Sequence, residues 1–250
     1  MLKEERYDKI LEIIDEETYT SAQDLSRRLY VSLPTVRRDL AELQKRGLIH
    51  RSHGGAKKIG TEHIVTPIDF RKTLNPSEKR KICCEAAKLI KDNDIVFIDA
   101  STTAVHIVDF LTDKKCITVV TNSTDLSLAL HQKHIKTYCT GGEIQSNSLG
   151  YAGCYAEEFI RNFNIDIMFF SSYGVSAGGM IADVSLPETM LRKTAARCSE
   201  KVVFLCDHSK FGLTAPYNLM HVDAVDHIVT NEKSDSPALE KIAREKLIFA

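Results

Sequence analysis

The sequence predicts an α/β chain in two parts: a small helical unit with a β-hairpin over residues 1–58 and, after a linker over 59–75, a larger mostly parallel-sheet domain over 76–250. Three observations carry that expectation. A length of 250 residues exceeds one ordinary domain and suits a small domain joined to a medium one. The first sixty residues place apolar side chains at helical spacing between capping residues. Later in the chain, short apolar runs alternate with amphipathic stretches, as they do when parallel strands are joined by helices covering both faces of a sheet.

Composition narrows the function classes. Hydrophobic residues at 43% and charged residues at 27% are ordinary for a globular protein. The formal net charge of -1 hides an asymmetry. Between Arg27 and Lys58 stand nine Lys or Arg (Arg27, Arg28, Arg37, Arg38, Lys45, Arg46, Arg51, Lys57, Lys58) against two acids, Asp39 and Glu42. A basic block on a neutral chain suggests a polyanionic partner for that block alone. The seven cysteines (Cys83, Cys84, Cys116, Cys139, Cys154, Cys198, Cys206) are odd in number, form no C-x-x-C pair and sit mostly in apolar runs. They are expected to be buried thiols in a reducing compartment, not disulfides or zinc ligands. No apolar stretch approaches the ~18 residues of a membrane helix, and the start, MLKEERYDKI, lacks a signal-peptide core. The expectation is a cytoplasmic protein with no membrane partner, no metal and no cofactor.

In the first part, Tyr7, Ile10, Leu11 and Ile14 form one helical stripe, which Thr18 to Thr20 interrupt. Ser21, with Asp24 three residues on, caps a second helix whose stripe is Ala22, Leu25 and Leu29. Tyr30 and Val31 make a tight connection. Ser32 caps a third helix, with Pro34 in its first turn, where a missing N–H costs little, and Gly47 just past its end. Val36, Leu40 and Leu43 face inward. Two short helices joined by a tight turn, the second with its own cap, form the helix-turn-helix pattern. Thr35, Arg37 and Arg38 then lie on flanking or outer faces near the start of the recognition helix, where arginine can reach guanine O6 and N7 in the major groove. Ser32 and Thr35, with the helix N-terminus, can hold a phosphate. Leu48 and Ile49 start a strand that His53-Gly54-Gly55 turns back, a small wing placing Arg51, Lys57 and Lys58 along the DNA backbone. His53 is either a minor-groove or phosphate contact or a polar turn residue. Asp39 is expected to orient Arg38 or pair with Arg46.

These residues carry a resemblance. Arg6, Ile10, Ile14, then Val31-Ser32-x-x-Thr35-Val36-Arg37-Arg38-Asp39-Leu40, Leu43, Gly47-Leu48 and His53-Gly54-Gly55-Ala56 look like the DeoR family of bacterial repressors. The match covers a whole domain and implies a winged helix-turn-helix bound to a double-stranded DNA operator.

The second part opens at Asn75-Pro76-Ser77-Glu78, read as N-cap, N1 proline and N3 acid, after a short ordered piece near 68–72. Strands are expected at 95–98, 116–120, 135–139, 165–170, 202–206 and 227–230. Helices are expected at 102–111, 126–131, 156–163 and 188–198, and one through Leu239, Ile242 and Ala243. Ligands of such sheets bind beyond the carboxyl ends of the strands. There the sequence places Asp99-Ala100-Ser101-Thr102-Thr103, Thr121-Asn122-Ser123, Thr140-Gly141-Gly142, the glycines Gly174, Gly178 and Gly179, and Asp207-His208-Ser209-Lys210-Phe211-Gly212. Ser101, Thr102 and Thr103 open a helix and suit an anion. Lys210 adds formal charge to the same phosphate. Asp99 and Asp207 can accept bonds from sugar hydroxyls. Gly141 and Gly142 let backbone approach a ligand. Together they fit a sugar phosphate.

The same loops, with Gly150, resemble the DeoR-family sensor domain, which is similar in fold to sugar-phosphate isomerases such as ribose-5-phosphate isomerase. The resemblance implies that a phosphorylated intermediate binds there and releases the repressor from DNA. It also brings in Glu188 and Lys193 on the helix after the fourth strand. Two departures stand out. Ser101 replaces the glycine of an Asp-x-Gly-Thr-Thr loop, tightening it or adding a hydroxyl ligand. Tyr173 sits in Ser171-Ser172-Tyr173-Gly174, shaping specificity or packing on the sheet. The rival is an isomerase-like enzyme with a DNA-binding appendage; it wants an acidic loop where Ser171-Ser172-Tyr173 has no carboxylate, so no catalytic residue is expected. An activator, or a DNA-binding structural protein without a ligand, is the other alternative. Paired half-sites imply a homodimer or homotetramer.

Overall fold

A computed structural model describes residues 2–17, 19–46, 48–52, 54–58, 68–145, 148, 150–231, 239 and 242–250. The chain divides into two compact units, Met1–Phe70 and Arg71–Ala250, so the division falls inside the expected linker. His53 and Gly47 lie outside the described residues.

The first unit contains α1 (Lys3–Glu17), β1 (Tyr19–Ser21), α2 (Ala22–Leu29), α3 (Leu33–Lys45), β2 (Ile49–Ser52) and β3 (Gly55–Lys58). The three strands pair antiparallel in the order β1-β3-β2. Tyr7, Ile10, Ile14, Leu25, Leu29, Val36, Leu40 and Leu43 share one core, the stripes the spacing predicts. Ser21 accepts from the Asp24 amide and Ser32 from the Thr35 amide, which satisfies donors that a helix start leaves orphaned. Between α2 and α3, Tyr30 adopts a left-handed conformation (φ 53) with 93% of its surface exposed. The Ser26 hydroxyl donates to the Val31 carbonyl at 2.6 Å, locking that tight turn. β1 (Tyr19–Ser21) is an addition: the sequence predicts only a break over Thr18 to Thr20 and a helix cap at Ser21.

Asp39 does not pair with Arg38 or Arg46. It accepts from Arg6, whose Nη2 lies 3.0 Å from Asp39 Oδ1 and whose Nε bonds Oδ2. The hydrogen bond with Asp39 raises the Arg6 pKa above its ordinary value. The pair ties α1 to α3 across 33 positions, a distance no local pattern reveals.

α4 (Ile68–Thr73) spans the division between the units, over the stretch expected to hold a short ordered piece. The second unit continues with α5 (Pro76–Ala87), β4 (Ile95–Ile98), β5 (Thr118–Thr121), α6 (Thr124–Gln132), β6 (Lys136–Cys139), β7 (Glu143–Ile144), β8 (Tyr151–Ala152), α7 (Cys154–Ile160), β9 (Ile165–Phe170), β10 (Gly174–Val175), β11 (Met180–Asp183), α8 (Leu186–Arg197), β12 (Ser199–Leu205), β13 (Tyr217–His221), β14 (His227–Thr230) and β15 (Leu247–Phe249). Seven strands form an all-parallel sheet ordered β15-β14-β12-β9-β4-β5-β6. Neighbouring side chains on each strand go to opposite faces. Phe97, Met168, Phe170 and Phe204 join one core with α7 and α8, while Val96, Ile98, Ile167, Phe169, Val203 and Leu205 join the other with α5 and α6. Burial on both faces is why these strands read as unbroken apolar runs.

Several expectations need correction. The helix expected over 102–111 is a 3-10 helix, Ala104–Phe110. Asn75 precedes α5 as expected but is left-handed (φ 48) and makes no side-chain cap. A small antiparallel sheet, β10-β11-β13, and the β7–β8 hairpin occupy segments expected to be loops. Of the expected last helix, Leu239 is helical and residues 232–238, 240 and 241 lie outside the described residues. All seven cysteines are free, but only Cys83 and Cys206 are buried; Cys116 and Cys154 are exposed.

Candidate DNA interface and anion site

In the first unit, the charge block resolves into paired and unpaired cations. Arg28 pairs with Glu17 and Asp24, Arg27 with Asp24, and Arg46 with Glu4 and Glu42. Three of those acids, Glu4, Glu17 and Asp24, come from before the block. Arg37, Arg38 and Arg51 are exposed, and among the described residues none has an acidic partner. Two of these unpaired guanidinium groups sit in the first half of α3, toward the helix end that favours anions. Ser32 Oγ and Thr35 Oγ1 lie 2.8 Å apart at the same end. Lys57 departs from expectation. It is 1% exposed, because β3 is the central strand of the three, so it is not a surface cation of the wing.

In the second unit, register brings the strand ends together. Ile98 pairs with Thr121, Thr121 with Cys139, Ile98 with Phe169, Phe170 with Phe204, and Leu205 with Val229. The loops beyond these ends therefore lie along one edge of the sheet. Lys210 Nζ donates to Ser171 Oγ at 2.6 Å and to the Ser172 carbonyl at 2.9 Å. Lys79, from α5, is 3% exposed and donates to Thr102 Oγ1 at 3.2 Å and to the Arg71 carbonyl at 2.5 Å. Burial first, then the like charges of Lys210 and Arg71, push its pKa down to about 8. Asp207 accepts from the Ser209 amide and hydroxyl and from Asn75 Nδ2. Burial works against its charge, yet Lys210 and those hydrogen bonds hold its carboxyl below the ordinary carboxylate value.

Beside the lysines lies a buried ionic cluster. Arg192 donates to Asp99 through Nε and to Asp183 through Nη1, both at 2.8 Å, and its Nη2 lies 3.6 Å from Glu188 Oε2. Burial opposes the Arg192 charge, but Asp183, Asp99 and Glu188 outweigh it and raise the pKa. Asp183 also accepts from the Ser172 hydroxyl at 3.0 Å. Arg71 feels Glu188 and Asp183; its pKa is lowered, chiefly by burial.

The expected site residues divide into three groups. Asp99, Ser101, Thr102, Thr103, Asp207, Lys210 and Glu188 gather around Lys79 and Arg192 through these contacts and the loop that joins Asp99 to Thr103. Ser101 Oγ accepts from the Ala104 amide at 3.1 Å, so the replaced glycine position caps the 3-10 helix. Thr121 and Asn122 are spent internally. Thr121 Oγ1 bonds the Ile98 carbonyl and Ser123 amide, and the Asn122 side chain bonds the Ala100 amide and Tyr151 carbonyl. Gly142 (φ 111) packs on β8 and α7, since a Cβ there would lie 2.7 Å from the Ala152 carbonyl oxygen, whereas Gly141 (φ 63) faces open space. Lys193 has no polar partner among the described residues; it is one helical step from Arg192 and so about 100° away from it. Tyr173 is half-buried, and burial raises its phenol pKa.

Lys79, Arg192, Asp183 and Arg71 were missed. Two carried a signal. Lys79 is in phase with Ile82, Cys83 and Ala86, and Arg192 with Thr189 and Ala195, so each is a cation on the buried face of a helix.

Comparison with known proteins fits both halves. Residues 6–62 match the DeoR-like helix-turn-helix domain, and residues 74–232 match the DeoR C terminal sensor domain. The chain belongs to the DeoR family of transcriptional regulators. Similar members include the HTH-type transcriptional regulator GolR of Listeria innocua, 31% identical over 95% of this chain and 94% of that protein. The glycerol-3-phosphate regulon repressor of Escherichia coli is 30% identical over 92% of each. The L-fucose operon activator of Haemophilus influenzae is 29% identical over 90% of this chain and 91% of that one. Among solved structures, ribose 5-phosphate isomerase A of Methanocaldococcus jannaschii aligns with TM-score 0.42 and 18% identity over 54% of each chain. This DeoR-family chain thus joins a DNA-binding unit to a sensor unit. No helix among its described residues is long and apolar enough to cross a membrane.

Proposed function

We propose that the chain represses carbohydrate or nucleoside catabolic genes and leaves its operator when a phosphorylated sugar binds the sensor unit. In this reading Ser32, Thr35, Arg37, Arg38 and Arg51 meet double-stranded DNA. The phosphate lies between Lys79 and Lys210, beside Thr102 and Thr103. The observation that carries it is Lys79, buried and hydrogen-bonded to Thr102 on the loop after β4, with the half-buried Lys210 adding a like charge. Burial first, then that like charge, oppose the Lys79 ammonium, and a phosphate beside it would supply the missing counter-charge. A homodimer or homotetramer would present paired recognition helices, and the ligand would shift that assembly by no more than its differential affinity for the two states.

The test is operator release. Full-length Lys210→Ala should bind an operator fragment as the wild type does and stay bound when a releasing sugar phosphate is added. Normal release would mean that the phosphate lies elsewhere. An enzymatic reading has one feature in its favour, the Asp183 carboxylate beside Ser172. That carboxylate is already engaged by Arg192 and by three other donors, the Ser172 hydroxyl and the Val184 and Ser185 amides, which leaves it a poor general base. Turnover of pentose phosphates by the purified protein would reverse this judgement.

A further inference from the structure

The turn between α2 and α3 carries a bulky side chain where backbone and solvent both disfavour it. Tyr30 closes α2 at φ 53 and ψ 40, the left-handed region, in which a Cβ crowds the following carbonyl and glycine fits without cost. Among the described residues, five non-glycine residues have positive φ: Tyr30, Asn75, Asn93, Cys116 and His134. Asparagine and histidine tolerate this conformation; for a bulky residue it is an outlier, and Tyr30 is the bulkiest of the five. Packing returns nothing for the strain, since 93% of Tyr30 is exposed. Its hydroxyl has no hydrogen-bond partner among the described residues. Strain without a packing return points to a side chain that is used outside the chain.

The turn fixes where that side chain starts. The Val31 amide donates to the Ser26 carbonyl at 3.2 Å, and the Ser26 hydroxyl donates to the Val31 carbonyl at 2.6 Å. Two residues after Tyr30, Ser32 caps α3. The Ser32 and Thr35 hydroxyls lie 2.8 Å apart at that end, and the exposed Arg37 and Arg38 follow within two helical turns. On the other side of the turn, Asp24 is already engaged by Arg27 and Arg28. The chain on both sides of Tyr30 thus offers hydroxyls and uncompensated positive charge, complementary to a polyanion. A phenol suits the same partner. Its O–H can donate to a phosphate oxygen, its ring can lie against a sugar, and with two rotatable bonds it loses little freedom on docking.

With α3 taken as the helix that enters DNA, a reading on which this inference rests, we propose that Tyr30 is a further DNA-contacting residue. Its hydroxyl donates to a backbone phosphate beside the start of α3, and its left-handed backbone is retained for that contact. The contact is neutral. It adds affinity and seats the helix without releasing a counterion of its own and without reading sequence.

Fluorescence anisotropy on the full-length protein tests this, with a duplex enriched from a random library on the wild-type chain as the probe. Tyr30→Phe should weaken binding by about three- to tenfold at every salt concentration, with the slope of log affinity against log salt unchanged. Tyr30→Gly should weaken it by about tenfold or more and yet raise the melting temperature by roughly 2–6 °C, because the strain leaves with the contact. Arg37→Ala and Arg38→Ala are the controls for the interface itself. Wild-type affinity in Tyr30→Phe overturns the proposal, whatever Tyr30→Gly does, and so does an altered salt slope. A lower melting temperature in Tyr30→Gly also overturns it, since the ring would then belong to the fold. Each of these results leaves the DNA reading of α3 standing if the arginine variants still bind weakly. If the wild-type chain enriches no duplex, or if both arginine variants bind as it does, that reading falls and the proposal with it. Should Tyr30→Gly not fold, Tyr30→Phe, which keeps the ring and the backbone conformation, decides.

Discussion

The two units use the same side chains in opposite ways. On α3 and the wing, Arg37, Arg38 and Arg51 point their charge at solvent without an acidic partner among the described residues. In the second unit, Lys79 and Arg192 are buried, and each charge is set by its neighbours. An exposed cation keeps its hydration, costs little to maintain and is free to meet a polyanion. A buried cation persists only with compensation, so its surroundings must be built around it. The contrast separates a surface suited to a polyanion, which it would meet by losing counterions, from a site whose buried charges are arranged in advance.

Substitutions can break or sharpen this contrast. The largest effect is expected for Arg192→Ala. It strands Asp99, Asp183 and Glu188 without their common counter-charge and should cost about 3–5 kcal/mol of stability in urea unfolding. A loss under about 1 kcal/mol would mean the cluster is far better solvated than its burial indicates. Arg37→Ala or Arg38→Ala should do the reverse. Operator affinity should fall by ~1–3 kcal/mol while stability stays within about 0.5 kcal/mol of wild type. Unchanged binding would remove those residues from the interface. Next comes pH. With its pKa depressed to about 8, Lys79 is charged below that value and neutral above it, so affinity for a phosphorylated effector should decline as pH rises through 8. Lys79→Arg, charged throughout, should flatten the titration; a wild-type profile already flat from about pH 7 to 9 would contradict the placement of Lys79 at the phosphate. The smallest effect distinguishes two cations of the wing. Arg51→Ala should lower the salt slope of operator binding by about one, whereas Lys57→Ala should leave it unchanged.

How much was legible in the sequence divides along the same line. The helix-turn-helix could be read because Ser21, Ser32 and Pro34 act within one turn of their own positions, and because an outward arginine needs no partner to be recognised. The parallel strands were legible as apolar runs for the same local reason. The loops after β4 and β12 could be read as neighbours because strand ends in such sheets converge. What escaped reading depends on partners far along the chain. Arg192 meets Asp99 across 93 positions and Asn75 meets Asp207 across 132. Asp183 was hidden because β11 is a short strand in a segment that looked like a glycine-rich loop. Thr121 and Asn122 looked like ligand groups by residue type, yet their hydrogen-bonding capacity is used to join neighbouring strand ends. Lys79 and Arg192 show what a better reading requires: a cation in phase with small and apolar residues of a helix signals a buried charge, and the helix periodicity separates Arg192 from Lys193.

The Arg6–Asp39 pair bears on how small a functional piece of this regulator can be made. A truncation beginning at β1 would retain both helices of the DNA-reading motif and the wing, and would look self-sufficient by motif. It would also remove Arg6, the partner of Asp39, and strip Tyr7, Ile10 and Ile14 from the core they share with α3. The minimal autonomous reader of DNA in this chain therefore includes the N-terminal helix, which supplies the counterion that lets the recognition helix stay seated.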